Sequence, residues 1–295
     1  METAEQLKEI VRQKYSAVAE QPDADSCCGP RLDGPTSCCG PSNEVPINMA
    51  VGYENVNGYV ADADLGLGCG LPTEFAQIKP GNVVVDLGSG AGNDCFVARA
   101  ETGETGRVIG LDMTPAMIDR ARKNTKTRGF TNVEFVYGDI EDMPLPENLA
   151  DVVVSNCVMN LVPDKQKAFT ETYRILKPGG HFSISDIVLK GDLPAGVLKD
   201  AELYAGCVSG AIHKEAYLQM VQEAGFTNIT LQKEREITLP DELLKNYLKA
   251  DEIANYRDQD KGHPAGGIYS VTVYAEKPTA ATPATAACCG PTCCN

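Results

Sequence analysis

Nowhere in the 295-residue chain is an apolar run long enough to cross a bilayer, and the charged, amphipathic stretch Met1 to Glu20 lacks the apolar centre of a secretion signal. These absences exclude a helical membrane protein and lead to the expectation of a cytoplasmic one. Positive charge is also scarce. Lys and Arg number 26 against 41 Asp and Glu, a formal net charge of −15, with no compensating basic run. A phosphate backbone or an anionic membrane would be repelled, so neither nucleic acid nor membrane is expected as a partner. The apolar content of 43% suits one sizeable α/β domain with appendages and is too little for two full domains.

Cysteine, by contrast, is plentiful: there are 12, and the intracellular setting expected for the chain argues against structural disulfides as their general purpose. Eight occur as adjacent pairs, Cys27-Cys28, Cys38-Cys39, Cys288-Cys289 and Cys293-Cys294, and four stand alone, Cys69, Cys95, Cys157 and Cys207. The motif CCGP recurs at Cys27, Cys38 and Cys288 among Pro, Gly, Ser, Ala and Thr, a composition of loops.

Leu7, Ile10, Val11, Tyr15 and Val18 recur near helical spacing, which predicts an amphipathic first helix docked on the main domain and ended by Pro22. Further on, β-branched runs at Val83 to Leu87, Arg107 to Asp112, Val133 to Tyr137, Asp151 to Asn156 and His181 to Ile187 alternate with helical segments. Those helices are Asn93 to Glu101, Pro115 to Arg128 and Asp164 to Leu176, the last stopped by Lys177-Pro178-Gly179-Gly180. Near-continuous apolar strands in such a series predict a mostly parallel sheet covered on both faces. A helix at Lys214 to Ala224, a strand near Asn228 to Glu236, an acidic helical insertion and a last strand Ile268 to Ala275 complete the series with a hairpin-like pair. Four regions follow: 1–47, a helix and cysteine-rich segment; 48–190, the nucleotide-binding domain; 191–277, a C-terminal region with the last strands; and 278–295, a cysteine-rich tail.

Three strand ends carry residues suited to a nucleoside. Asp86-Leu87-Gly88-Ser89-Gly90-Ala91-Gly92 follows the first strand and opens a helix, so small residues let the chain turn and a ligand approach its backbone. Asp112 ends the second strand, placed to accept from ribose hydroxyls, with Met113 beside it to pack on adenine. Gly138-Asp139-Ile140 ends the third; Asp139 could accept from the adenine amino group and Ile140 could cover the ring. The DxGxGxG spacing and the stretch Gly138 to Pro144 separate this pattern from a nicotinamide or flavin site. Asn156-Cys157 ends the fourth strand on the same edge, whereas Cys69 and Cys207 stand in glycine-flanked loops free to converge there. Taken singly, each cysteine reads as a small buried hydrophobe, and Cys95 is left in that role. Three thiolates on one edge would select a soft, thiophilic species.

Residues 80 to 187 resemble the class I S-adenosylmethionine-dependent methyltransferases, and the resemblance narrows to the arsenite methyltransferases through about residue 277. It is carried by Gly68-Cys69-Gly70-Leu71-Pro72, by DLGSGAGNDC from Asp86 to Cys95, by IGLDMT from Ile109, by SNCVMNLVPDK from Ser155, and by Cys207. The resemblance implies a Rossmann-like α/β fold with a mostly parallel seven-stranded sheet whose last strand is antiparallel, a cysteine-rich N-terminal segment and a C-terminal substrate-binding insertion. It implies S-adenosylmethionine held by Asp86, Gly88, Ser89, Gly90, Asp112, Met113, Asp139, Ile140 and Asn156. It further implies arsenite, or its thiol conjugates, bound as As(III) on Cys69, Cys157 and Cys207. A fourth cysteine pairs with the first during turnover in that family; Cys38 and Cys39 are the nearer candidates and Cys27 and Cys28 the more distant. A thiol reductant, thioredoxin or glutathione, would act as co-substrate. The chain departs from animal and algal members, which carry tyrosines just before the GCG; here Leu65-Gly66-Leu67 stands there, with Tyr59 as a weak substitute. Two other readings are a quinone-type C- or O-methyltransferase with merely packed cysteines, and a non-catalytic thiol-rich metal-binding protein.

Overall fold

The computed structural model describes residues 3–20, 52–53, 55–191, 210–237, 245, 249–251, 253 and 267–279. The β-branched run of β1 (Val83–Leu87) lies at the centre of its sheet, between β2 (Arg107–Asp112) and β4 (Ala150–Asn156), parallel to both. Strand β3 (Val133–Tyr137) extends the sheet beyond β2, and β5 (Leu176–Lys190) extends it beyond β4. The full order is β3-β2-β1-β4-β5-β8-β7, with β8 (Gly267–Glu276) antiparallel to both β5 and β7 (Thr227–Ile237). The expected seven strands form this path. An eighth, β6 (Ile212–His213), adds a short parallel pairing at Val188 and Leu189 of β5.

Because successive side chains of a strand point to opposite faces, β1 and β4 feed two cores. Val84, Val108, Val152 and Val154 pack with Phe96 and Ile118 from α3 (Asn93–Thr102) and α4 (Pro115–Arg128). Val85, Leu87, Val153 and Phe182 pack on the other face with Phe169 of α5 (Lys165–Ile175) and Tyr217 of α6 (Lys214–Glu223). Each large side chain so buried contributes about 1.5–3 kcal/mol.

The helices begin and end where their chemistry dictates. Thr3 and Gln6 form a reciprocal cap on α1 (Ala4–Ala19); Pro115 opens α4, and Gly129, at φ +69°, closes it; Asp164 caps α5 by accepting from the Lys167 amide at 2.9 Å. Lys177-Pro178-Gly179-Gly180 behaves differently from a simple stop. Helix α5 does end at Ile175, but residues 177–180 already run within β5, clasped by hydrogen bonds from Gly179 to Lys277 (2.9 Å) and from Lys277 to Gly180 (2.8 Å). The cysteine-rich segment after α1, most of the acidic insertion and the tail beyond residue 279 lie outside the described residues.

Candidate active site

Gly88, at φ +69°, turns the chain out of β1; a Cβ there would meet Val158 at 2.4 Å, so only glycine fits. The turn brings Ser89 and Gly90 to the floor of a cleft with about 1050 Å³ of free space, its open mouth included. Every residue expected to hold the nucleoside faces this cleft: Asp86, Gly88, Ser89, Gly90, Asp112, Met113, Asp139, Ile140 and Asn156. So does Cys157.

The cleft is strongly acidic. Asp86, Asp94 and Asp112 are all buried. Burial, reinforced by the charge of Asp94, lifts Asp86 well above the usual carboxylate range although the Cys95 thiol donates to it at 3.2 Å. Cys95 is therefore a core residue, as expected, but also a support for Asp86. Burial raises Asp94 to about 6 against the opposing hydrogen bonds from Tyr53 and Asn156. It raises Asp112 too, although that carboxylate accepts from Gly90 (2.9 Å) and Thr114 (2.8 Å) amides. Burial with no cation beside them raises these three carboxyls, and a positively charged guest would favour their ionised forms. The Ser89 hydroxyl is buried in the cleft wall with no hydrogen-bond partner, a group left for a ligand to satisfy. A sulfonium nucleoside fits both features.

Helix α1 forms one wall of the cleft through Lys8, Val11 and Tyr15. Lys8 reaches Asp139 at 2.7 Å and Glu141 at 2.6 Å. Its burial works against the ammonium, but the two carboxylates outweigh that and raise its pKa. Asp139 already serves Lys8 through one oxygen and the Glu141 amide through the other, at 2.9 Å.

Cys157 follows the last residue of β4 in the left-handed region, φ +62°, its amide donating to the Ser185 carbonyl at 2.7 Å. A non-glycine residue held there is strained, and such strain gathers at functional sites. Cys69 is fully buried behind the cleft, where its neighbour Gly68 forms part of the wall. Asn156 joins the two. Its side-chain oxygen accepts from the amides of Cys69 (3.0 Å) and Gly70 (3.2 Å), and its amide nitrogen donates to Gly70 (2.9 Å). Cys207, Cys38 and Cys39 lie outside the described residues. Among the described residues, no group of three or more His, Cys, Asp or Glu could hold a metal ion.

Two residues central to the site were not marked by the sequence. Asp94 opens α3 and faces the cleft, and the Tyr53 hydroxyl lies 2.8 and 3.0 Å from its oxygens. Tyr53, and not Tyr59, lines the cleft; Tyr59 stacks on it and donates to Asp64 at 3.2 Å. The DxGxGxGND run was a usable signal for Asp94, since an acid in the first turn of a helix beside a glycine loop faces the ligand. Nothing in the Pro- and Asn-rich sequence around Tyr53 points to its partners.

A family model described as a methyltransferase domain matches residues 78–225. An arsenite methyltransferase of Halobacterium salinarum is 39% identical over 279 residues, covering 93% of this chain and 67% of that protein. The arsenite methyltransferase of Homo sapiens is 34% identical over 69% of this chain, which spans only 56% of the human protein. A crystal structure of an arsenic (III) S-adenosylmethionine methyltransferase from Chlamydomonas reinhardtii superposes with a TM-score of 0.59 at 33% identity, covering 72% of this chain and 68% of that one. The glycine turn and the acidic cleft thus sit in a sequence similar over 93% of its length to an arsenite methyltransferase, and the chain belongs to the arsenite methyltransferases, a family of S-adenosylmethionine-dependent enzymes.

Proposed function

We propose that this protein methylates trivalent arsenic held on the thiolates of Cys69, Cys157 and Cys207. The observation that carries the reading is Cys157: it follows β4 directly on the wall of the nucleoside cleft, and Asn156 beside it bonds the backbone of Cys69. Cys207 lies outside the described residues and joins the set as the resemblance implies.

Bound S-adenosylmethionine supplies an electrophilic methyl on a sulfonium sulfur. Asp112 and Asp139 would hold its hydroxyl and amino groups, Ser89 one further polar atom, and Asp86 and Asp94 would balance its positive charge. The thiolates hold arsenic with its lone pair directed at the cleft, and no general base is needed. Fixing the two reactants at near-attack separation is worth roughly 7–11 kcal/mol in favourable cases. Arsenic gives up the lone pair and passes from trivalent to pentavalent. Its return to trivalent takes two electrons from a pair of thiolates, which leave as a disulfide. Cys69 with Cys38 or Cys39 suits that step, and two electrons from thioredoxin or glutathione would restore the thiols. Each methyl added replaces one arsenic–thiolate bond.

The test is incubation with arsenite, methyl-labelled cofactor and a thiol, followed by separation of arsenic species. Cys157→Ser or Cys207→Ser should produce no methylated arsenic while binding S-adenosylhomocysteine as the parent does. Full activity in either variant removes the proposed ligand set. A quinone-type enzyme with packed cysteines would ignore arsenite, and a mere metal-binding protein would take it up without consuming cofactor.

A further inference from the structure

The Tyr53 hydroxyl has one proton and two acceptors. It lies 2.8 Å from Asp94 Oδ1 and 3.2 Å from the Gly70 carbonyl, and it accepts from Asn156 Nδ2 at 2.6 Å. Asp94 faces the cofactor cleft; Gly70 adjoins Cys69. All of these groups are buried or half-buried, so none is easily served by bulk water. The loop carrying Cys69 is held closely elsewhere too. A Cβ at Gly68 would meet Asn156 at 2.7 Å, one at Gly70 would meet Ser185 at 2.6 Å, and Ser270 donates to the Cys69 carbonyl at 2.6 Å. The Tyr53 proton is the one contact of this loop that can be withdrawn by turning a hydroxyl, since Asp94 competes for it.

We propose that Tyr53 is a positioning residue that couples the two substrates: a cation engaging Asp94 from the cleft releases the Tyr53 proton to Gly70, which fixes Cys69 in place for arsenic. The proposal deepens the arsenite reading and rests on it for the identity of the second ligand. Coupling of this kind is reciprocal, so arsenic on Cys69 tightens the cationic cofactor by the same factor. It requires no large motion, only the turning of one hydroxyl between two acceptors that both lie within 3.2 Å of it.

The experiment measures the affinity of the full chain for sinefungin, a cationic and non-transferable cofactor analogue, with and without phenylarsine oxide. That trivalent arsenical condenses with two thiols, releasing one water. The parent should show coupling of about fivefold or more, within the usual range for linked sites. Tyr53→Phe should bind each ligand alone within about threefold of the parent yet show coupling below about twofold. Tyr59→Phe should keep the parental coupling. An uncoupled parent, or Tyr53→Phe with coupling intact, overturns the proposal. A second arm needs no arsenic: iodoacetamide labelling of Cys69, read by mass spectrometry, should slow at least about fivefold when sinefungin binds the parent, and not when it binds Tyr53→Phe. Slowing without any binding of the arsenical would sink the arsenite reading and leave the hydroxyl's role standing. Should Tyr53→Phe fail to fold, Asp94→Ala leaves the proton to Gly70, so labelling should be slow with or without the analogue; fast labelling in that variant counts against the idea.

Discussion

At the scale of single residues, the site is defined by groups that are uncomfortable where they are. Cys157 holds a left-handed backbone, Gly88 abuts Val158, and three carboxyls sit buried in one cleft. Gly88→Ala should lose cofactor binding by tenfold or more in calorimetric titration, because positive φ and the Val158 contact both resist the new methyl. A carboxyl outside the cleft adds to the pH dependence that the raised acids of the cleft confer. Asp186, in the carboxyl half of β5, is fully buried; burial lifts it to about 7, against the Ile187 amide and the charge of Lys165. Between the usual carboxylate range and pH 7 the native state therefore holds a proton that the unfolded chain has released, so stability falls as pH rises through that window. Asp186→Asn should flatten the fall, melting several degrees above the parent at pH 8 and close to it at pH 5, at roughly 2–4 °C per kcal/mol. A parental pH dependence in the variant would show that other groups carry it. Of these residues, Gly88 and Cys157 were legible in the sequence because a motif fixed their positions on the chain. Tyr53 and Asp94 act through side-chain partners up to 103 positions away, which spacing alone does not reveal.

At the scale of elements, α1 is the part whose role exceeds its appearance. Its periodicity predicted docking, and it does dock, packing along α4 and taking a hydrogen bond from Arg120 on the Ala19 carbonyl at 3.1 Å. What periodicity did not show is that Lys8, one charged residue in a charged helix, is 8% exposed and bridges Asp139 and Glu141. Lys8→Met would leave the buried Glu141 without its cation, and breaking such a pair costs about 3–5 kcal/mol. Amide exchange across residues 4–19 should quicken, and cofactor affinity should weaken about tenfold. Unchanged exchange would mean that the apolar face holds the helix alone. Strands β1, β2, β4 and β5 were legible because each is buried over most of its length, and β7 was placed close to its bounds although it is exposed at nearly every position; β6, only two residues long, carries no pattern to read.

At the scale of the whole molecule, net charge separates the two substrates. With −15 overall and five acids lining the cleft, the protein attracts a cationic cofactor, and salt screens that attraction. Arsenite is neutral near pH 7 and feels little of the field. The KM for S-adenosylmethionine should therefore rise several-fold between about 10 mM and 0.15 M salt, where the screening length shrinks from about 30 to 8 Å, while the KM for arsenite stays within about twofold. Parallel shifts in both would point to a general effect of salt on the fold.

The strand order β5-β8-β7 has a consequence for how the protein is made. Strand β8 lies between two strands that precede it in the chain, so β7 has no partner in the sheet until synthesis has passed residue 276. The same late strand brings Ser270 onto the carbonyl of Cys69, a contact spanning 201 positions. On the ribosome the Gly88 turn and its strands can assemble early, from residues made in sequence, whereas the Cys69 loop gains its contact with Ser270 only once the last strand has been made.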